Sequence, residues 1–194
     1  MDKVLHMINS ITGINLNFKL DNGFEISLQD IICVVGFSAP GILLVVSIFL
    51  LKKKTKYLKY FLAGYVLNSI LNLLLKYIFK EPRPSNDWEL FKIGITHCKR
   101  FGYDRYGMPS GHAQHCGYVL AFMTLVLNNP WVTCIYLIFT LICMYQRYLY
   151  ENHNIKQVVV GLLIGLGTGY LMYQLAKKNL IGNIKMRPDD DGPL

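Results

Sequence analysis

Long apolar runs separated by short polar segments dominate the chain. Residues 31–51, 57–79, 113–128, 131–146 and 157–175 are predominantly apolar. Their lengths approach what an α-helix needs to cross a hydrocarbon layer about 30 Å thick. The pattern predicts an all-α, polytopic membrane helical bundle of about five transmembrane helices. Pro40, near the middle of the first run, predicts a kink. Gly161, Gly165, Gly167 and Gly169 in the last run predict close helix–helix approach. Ahead of the first run, Val4, Leu5, Ile8 and Ile11 share one helical face and predict an N-terminal interfacial helix. Asn9, Ser10, Thr12, Asn15 and Asn17 interrupt any apolar core there, which argues against a cleavable signal peptide. Leu20 to Phe24 reads as a turn. Three regions follow: an interfacial or lumenal segment over 1–29, a single membrane domain over 30–176, and a polar, disordered tail over 177–194.

Five spans put successive segment ends on alternate sides. The long polar loop 80–108, the start of the third span and the polar segment 147–156 then share one face of the membrane. The lysine run Lys52, Lys53, Lys54 and Lys56 falls on the other, and by the positive-inside rule that face is cytoplasmic.

Composition agrees with a membrane protein: 53% of the 194 residues are hydrophobic and only 16% charged, below the roughly 25% of soluble domains. The net charge of +8 would suggest nucleic acid in a soluble chain. Here the basic residues cluster between apolar runs, so topology signals and an anionic ligand explain it better. The five cysteines, Cys33, Cys98, Cys116, Cys134 and Cys143, are odd in number and lack a CxxC pair. They read as small apolar residues outside any disulfide framework.

Three polar clusters carry candidate chemistry. Lys76 and Arg83 place an ammonium and a guanidinium near one boundary, and a forked guanidinium suits phosphate oxygens. In Tyr106-Gly107-Met108-Pro109-Ser110-Gly111-His112-Ala113-Gln114, Pro109 rejects a preceding helix and Ser110 is a good N-cap. Gly111 permits close backbone approach, and His112 falls in the first helical turn, at the positive end of the helix dipole. His115 with His112 invites a metal-site reading, but no third ligand has a suitable spacing, and packing or hydrogen bonding within the bundle is the alternative. The third cluster is Arg147 to Gln157. If 153–157 is helical, His153 and Gln157 lie at i, i+4, and the amide can accept from one ring nitrogen and leave the other free.

Taken in order, Lys76 with Arg83-Pro84, then Pro109-Ser110-Gly111-His112, then Arg147 with His153 resemble the three signatures of the type 2 phosphatidic acid phosphatase (PAP2) superfamily. Six residues separate Lys76 from Arg83 and five separate Arg147 from His153, as in that family. The stretches Glu81-Pro82-Arg83-Pro84, Tyr106-Gly107-Met108-Pro109 and His112-Ala113-Gln114 resemble its dolichyldiphosphatase branch most. So does Gln157-Val158-Val159-Val160-Gly161, a feature shared with glucose-6-phosphatases. The resemblance implies a PAP2/chloroperoxidase-like helical core and a metal-independent phosphatase without cofactor. It implies that Lys76, Arg83, Ser110, Gly111 and Arg147 hold the phosphate. It also implies that His153 attacks phosphorus and that His112 protonates the leaving oxygen, with Gln157 orienting His153. Two departures stand out: Gln157 replaces the usual Asp, and Gln146 replaces the Ser before the third-motif Arg, so that one phosphate hydrogen bond is altered or lost.

A site at the membrane boundary favours a lipid phosphate over a sugar phosphate. The resemblance implies a polyprenyl, dolichyl, diphosphate as substrate. It places the site on the lumenal side of an endoplasmic reticulum membrane in a eukaryote, or in the cell membrane otherwise. The alternatives are a phosphatidate or other lipid-phosphate phosphatase, a glucose-6-phosphatase-like enzyme, a phosphotransferase on the same scaffold and a non-catalytic lipid-phosphate binder.

Overall fold

The computed structural model describes residues 17–19, 25–85 and 102–181. Strands β1 (Asn17–Lys19) and β2 (Glu25–Ser27) pair antiparallel, with Phe18 opposite Ile26. Among the described residues five helices follow: α1 (Leu28–Leu51), α2 (Thr55–Phe79), α3 (Gly111–Leu127), α4 (Pro130–Leu149) and α5 (Ile155–Ile181). A 3-10 turn, Gly102–Arg105, precedes α3. The fold is the expected all-α membrane helical bundle; the small hairpin precedes it, and strands of three residues are too short to show an alternating pattern in sequence. The expected interfacial helix around Val4 to Ile11, the turn at Leu20 to Phe24 and most of the 177–194 tail lie outside the described residues.

Four of the helices are long and apolar enough to cross a membrane: α1 from Asp30, α2, α4, and α5 to Asn179. The chain is accordingly a multi-pass membrane protein. The expected third span differs. α3 has 17 residues, about 25 Å of helix, and ten of them are buried. It touches all four other helices, which form a ring around it in the order α1, α2, α5, α4. Sheathed by protein, the central helix is free of the length that contact with lipid demands. The boundaries also shift. α4 runs past residue 146 to Leu149 and so carries Arg147 within its last turn, and α5 runs past residue 175 to Ile181.

Polarity is inverted relative to a soluble bundle. Val34, Phe49, Val66, Ile78, Trp131 and Leu163 face outward, while Lys76, Arg83, Gln114, Arg147, His153 and Gln157 are buried. Polar groups in lipid must find partners inside the protein. The buried stripe of α2 shows this change along one helix: Tyr57, Phe61, Gly64, Asn68, Asn72 and Lys76 recur at intervals of three or four. It passes from aromatic to amide to ammonium as it nears the site. Gln114 of α3 donates to Asn68 Oδ1 at 2.9 Å and accepts from Asn72 Nδ2 at 2.8 Å. Thr168 of α5 donates to the same Asn68 oxygen at 2.9 Å, so that three helices are tied together beneath the site.

The glycines of α5 work in register with α3. A Cβ added at Gly161 would meet Ser110 O at 2.5 Å, one at Gly169 would meet Tyr118 O at 2.5 Å, and one at Gly165 would meet Gln114 O closer still. Three glycines spaced by four thus face three backbone carbonyls spaced by four. Gly167, expected to share this role, has nothing within 4 Å of an added Cβ, because it lies off that row. Cys33, Cys116, Cys134 and Cys143 are free thiols, and Cys98 lies outside the described residues.

Candidate active site

The segments 80–85 and 102–110, the start of α3 and the connector 150–154 meet at one end of the bundle, as the alternation of spans requires. Lys76, in the last turn of α2, is 1% exposed, and its ammonium pairs with the Asp104 carboxylate. Arg83 reaches under the connector. Its Nη1 donates to Asn152 O at 2.9 Å and to His153 Nε2 at 2.8 Å. Its Nη2 donates to Asp104 O at 2.7 Å and lies 3.5 Å from Asp104 Oδ1. Arg147 is fully buried at the end of α4, where a cation also complements the helix dipole. Its guanidinium lies 5.8 Å from the centre of the Phe37 ring, which in turn is 5.2 Å from the His112 ring.

His153 is held from both sides. Its Nδ1 lies 2.8 Å from the carbonyl oxygen of Gly107 and 3.3 Å from Gln157 Oε1. A carbonyl only accepts, so Nδ1 carries the hydrogen. Nε2 accepts from Arg83 and keeps its lone pair toward the cations. Burial, and then the charges of Arg83, Arg147, Lys76 and His112, hold the imidazole pKa well below 6.5, so the ring is neutral. Its backbone N–H donates to Arg147 O at 3.2 Å, which fixes the spacing of the two side chains.

Gln157 does more than the expected orientation of His153. Helix α5 starts at Ile155, so His153 precedes the helix and the two are not helical i, i+4 neighbours. Instead, Gln157 N–H donates to Asn154 Oδ1 at 2.8 Å while Asn154 N–H donates to Gln157 Oε1 at 3.3 Å. This is a reciprocal capping box. The Gln157 amide then donates to Glu81 Oε1 and to Pro82 O, both at 2.9 Å. Partial burial would raise the Glu81 pKa, but hydrogen bonds from Gln157 and Asn154 and the charge of Lys156 outweigh it and hold the carboxyl below 4.5. Gly107 is required beside this cluster: an added Cβ would meet Gln157 Oε1 at 2.5 Å.

Ser110 occupies the N-cap position of α3, with extended backbone, but its hydroxyl makes no capping bond. The expectation of a side-chain cap is corrected. The buried Oγ has no hydrogen-bond partner among the described residues, while the Ser110 N–H donates to Gln157 O at 3.0 Å. The helical ladder of α3 opens with Gln114 N–H to Ser110 O, so the N–H groups of 111–113 precede it. Gln146 is buried against Gly36 of α1 and stands apart from the cluster around Arg83 and His153. His115 has a partner at each ring nitrogen, Gly111 O at 2.7 Å and Ser69 Oγ at 2.8 Å. Among the described residues no group of three His, Cys, Asp or Glu side chains is placed to hold a metal ion.

A chamber of about 60 Å³ lies at the centre, lined by Phe37, Lys76, Arg83, Asp104, Gly111, His112, Arg147 and His153. Six of the expected site residues therefore converge: Lys76, Arg83, Gly111, His112, Arg147 and His153. Ser110 and Gln157 lie outside its lining. Phe37 and Asp104 were not foreseen. No motif in the sequence marks either, because one sits in an apolar run and the other in a polar loop. The pattern Asn154-x-x-Gln157, by contrast, was a readable cap signal. A second cavity, about 870 Å³, runs between α1 and α2, with Ile42, Val45, Val46, Tyr65 and Leu73 among its walls. Phe37, Asp104, Gly111 and His112 line both cavities.

A buried basic pocket at the end of a multi-pass helical bundle, with two histidines facing it, defines a class of membrane proteins built to hold an anion. The PAP2 superfamily matches residues 57–181, well over half the chain, and the chain belongs to that superfamily. Among curated proteins, the dolichyldiphosphatase of Saccharomyces cerevisiae is 32% identical over 121 residues, 57% of this chain and 48% of that one. The palmitoyl-protein thioesterase-dolichyl pyrophosphate phosphatase fusion 1 of Schizosaccharomyces pombe is 29% identical over 135 residues, 63% of this chain and 20% of its own. The chain thus spans about half the length of the first relative and a fifth of the second. No solved structure matches. Every residue that lines the chamber, except Phe37, falls within the matched stretch.

Proposed function

We propose that the chain is a membrane phosphatase that hydrolyses a lipid diphosphate, dolichyl diphosphate in particular, to the monophosphate and inorganic phosphate. The observation that carries this reading is the junction of the two cavities. A cation-lined chamber the size of a phosphoryl group opens, at His112 and Gly111, into a groove with apolar walls between two lipid-facing helices. A phosphate ester with a long apolar tail fits both parts, and a sugar phosphate fits only the first. The names of the two yeast relatives support the dolichyl choice.

In this reading Lys76, Arg83 and Arg147 neutralise the phosphoryl oxygens, and the N–H groups at the start of α3 add to them. The Ser110 hydroxyl, buried without a partner among the described residues, gains an acceptor if a phosphate oxygen comes within its reach. His153 Nε2, already unprotonated, attacks phosphorus as the bond to the leaving oxygen breaks. His112 gives that oxygen a proton and then takes one from water, whose attack releases phosphate from His153. General acid–base catalysis of this kind contributes roughly 10²–10⁴ in rate.

Lys52 and Lys53 lie exposed at the end of the bundle opposite the site. The positive-inside rule then gives the site a lumenal position in the endoplasmic reticulum. An epitope inserted after Lys53 is cut by protease added to intact microsomes, and one inserted after Glu151 is protected; the reverse pattern overturns this orientation.

The substrate is tested by phosphate release from the detergent-purified chain in EDTA, with dolichyl diphosphate, phosphatidic acid and glucose 6-phosphate side by side and His153→Ala as control. Preferred, His153-dependent hydrolysis of the diphosphate is expected. Preference for phosphatidic acid moves the substrate, and activity that needs added metal overturns the metal-independent mechanism.

A further inference from the structure

Asp104 sits where a substrate phosphate would bind. Its carboxylate pairs with both Lys76 and Arg83, and it lines the chamber and the groove alike. We infer that Asp104 is a specificity-determining residue: it occupies the phosphate position in the resting site, must be displaced by substrate, and so makes the site reject phosphates that lack an apolar tail. The inference rests on the proposed phosphate-binding role of this chamber.

The three charged partners differ in their freedom to move. The side chains of Lys76 and Arg83 are 1% and 3% exposed, whereas that of Asp104 is 42% exposed. Lys76 is fixed on a long helix and Arg83 is held by Asn152 O. Asp104 belongs to a four-residue 3-10 turn that opens on Gly102 at φ +56° and has no buried residue. A phosphate bound to the same two cations would stand within a few ångströms of the carboxylate, and two anions so close repel each other and compete for the same charges. One must leave, and the exposed acid on a short turn is the one free to do so.

Displacement has an unequal effect on ligands. A tailed phosphate gains apolar burial in the groove, which offsets the broken ion pairs. Orthophosphate, the expected product, gains nothing there and binds only to the fraction of molecules whose carboxylate has moved. Apparent affinity falls in proportion to that fraction, so a carboxylate in place about nine-tenths of the time weakens orthophosphate roughly tenfold. Asp104 thereby favours product release and tailed substrates together.

The test is orthophosphate binding to the detergent-purified full chain, read from the concentration dependence of its thermal unfolding. Asp104→Asn, which keeps the size and loses the charge, should bind orthophosphate roughly tenfold tighter than wild type, and Asp104→Glu should stay near wild type. Equal or weaker binding by Asp104→Asn overturns the inference and makes Asp104 a fixed support for the two cations. Should that variant fail to fold, hydrogen exchange on the wild type decides. The Tyr106 amide, bonded to Tyr103 O at 3.1 Å, should lose protection when orthophosphate saturates the site, and unchanged or increased protection overturns the displacement. Orthophosphate binding to neither protein overturns the phosphate-binding reading as well. Tighter binding by Asp104→Asn without any hydrolysis of dolichyl diphosphate supports this inference and overturns only the proposed substrate.

Discussion

Nη1 of Arg83 lies 2.8 Å from Nε2 of His153. One guanidinium thus holds this nitrogen unprotonated and stands ready for the phosphate that, in the proposed mechanism, the nitrogen would attack. The fork matters, since the same group also donates to Asn152 O and Asp104 O. Arg83→Lys keeps the charge and loses the fork. It should lower kcat/KM for the preferred lipid roughly 10²-fold, comparable to loss of one preorganised donor to a reacting group. Steady-state phosphate release checks this, and a loss under threefold would show that charge alone suffices.

His153 also sets a pH dependence of stability. Its folded pKa lies well below 6.5. Above pH 6.5 both folded and unfolded chains hold it neutral and it contributes nothing. As pH falls below 6.5 the unfolded chain takes up a proton that the fold refuses, so stability drops, by up to about 1.4 kcal/mol per unit. Thermal unfolding of wild type and His153→Asn between pH 5 and 8 should show a steeper acid-side loss in wild type. Glu81, held below 4.5, adds its own loss only at lower pH.

The cap of α5 is predicted to be a stability element as well as a site element. Asn154→Ala removes one half of the capping box and should cost about 1–2 kcal/mol in unfolding. Gly107→Ala drives a methyl into the Gln157 amide and should lower both stability and turnover. Chemical denaturation alongside the phosphate assay separates the two effects.

The glycine row gives a matched pair. Gly165→Ala forces α5 away from the Gln114 carbonyl and should destabilise by about 1–3 kcal/mol. Gly167→Ala meets open space and should be neutral or stabilise by up to about 1 kcal/mol, the helix preference of Ala over Gly. Equal effects at the two positions would contradict the register described for α3 and α5.

Filling the groove should separate tail recognition from chemistry. Val46→Trp places a large ring among the apolar walls. KM for a lipid phosphate should rise at least tenfold while hydrolysis of a short soluble phosphate ester is little changed, a contrast that parallel assays on the two substrates would read directly.

How far the sequence went is explained by range. Lys76, Arg83, His112, Arg147 and His153 were legible because each lies at a helix end or next to one, where apolar periodicity breaks and charge enters. That they share one face followed from counting spans. The partners of His153 were less legible. Gly107 O is a backbone atom 46 positions away, and nothing in its side chain announces the bond. Asp104 is one acid in a polar loop, and its role exists only once Lys76 and Arg83 are brought to it. The central place of α3 was hidden for a similar reason. A helix wrapped by others and one facing lipid are both apolar, and the run 113–128 is no shorter than the run 131–146, whose helix is long enough to span.

Helix α1 lies ahead of the stretch that matches the superfamily, yet it supplies Phe37 to the chamber and Ser38, Pro40, Ile42, Val45 and Val46 to the groove. The consequence is modular. The machinery that would break the bond is encoded in one continuous part of the gene product, and much of the surface that would measure the tail is encoded in another. Exchanging the first helix between relatives should therefore transfer preference for chain length while the reaction itself stays the same.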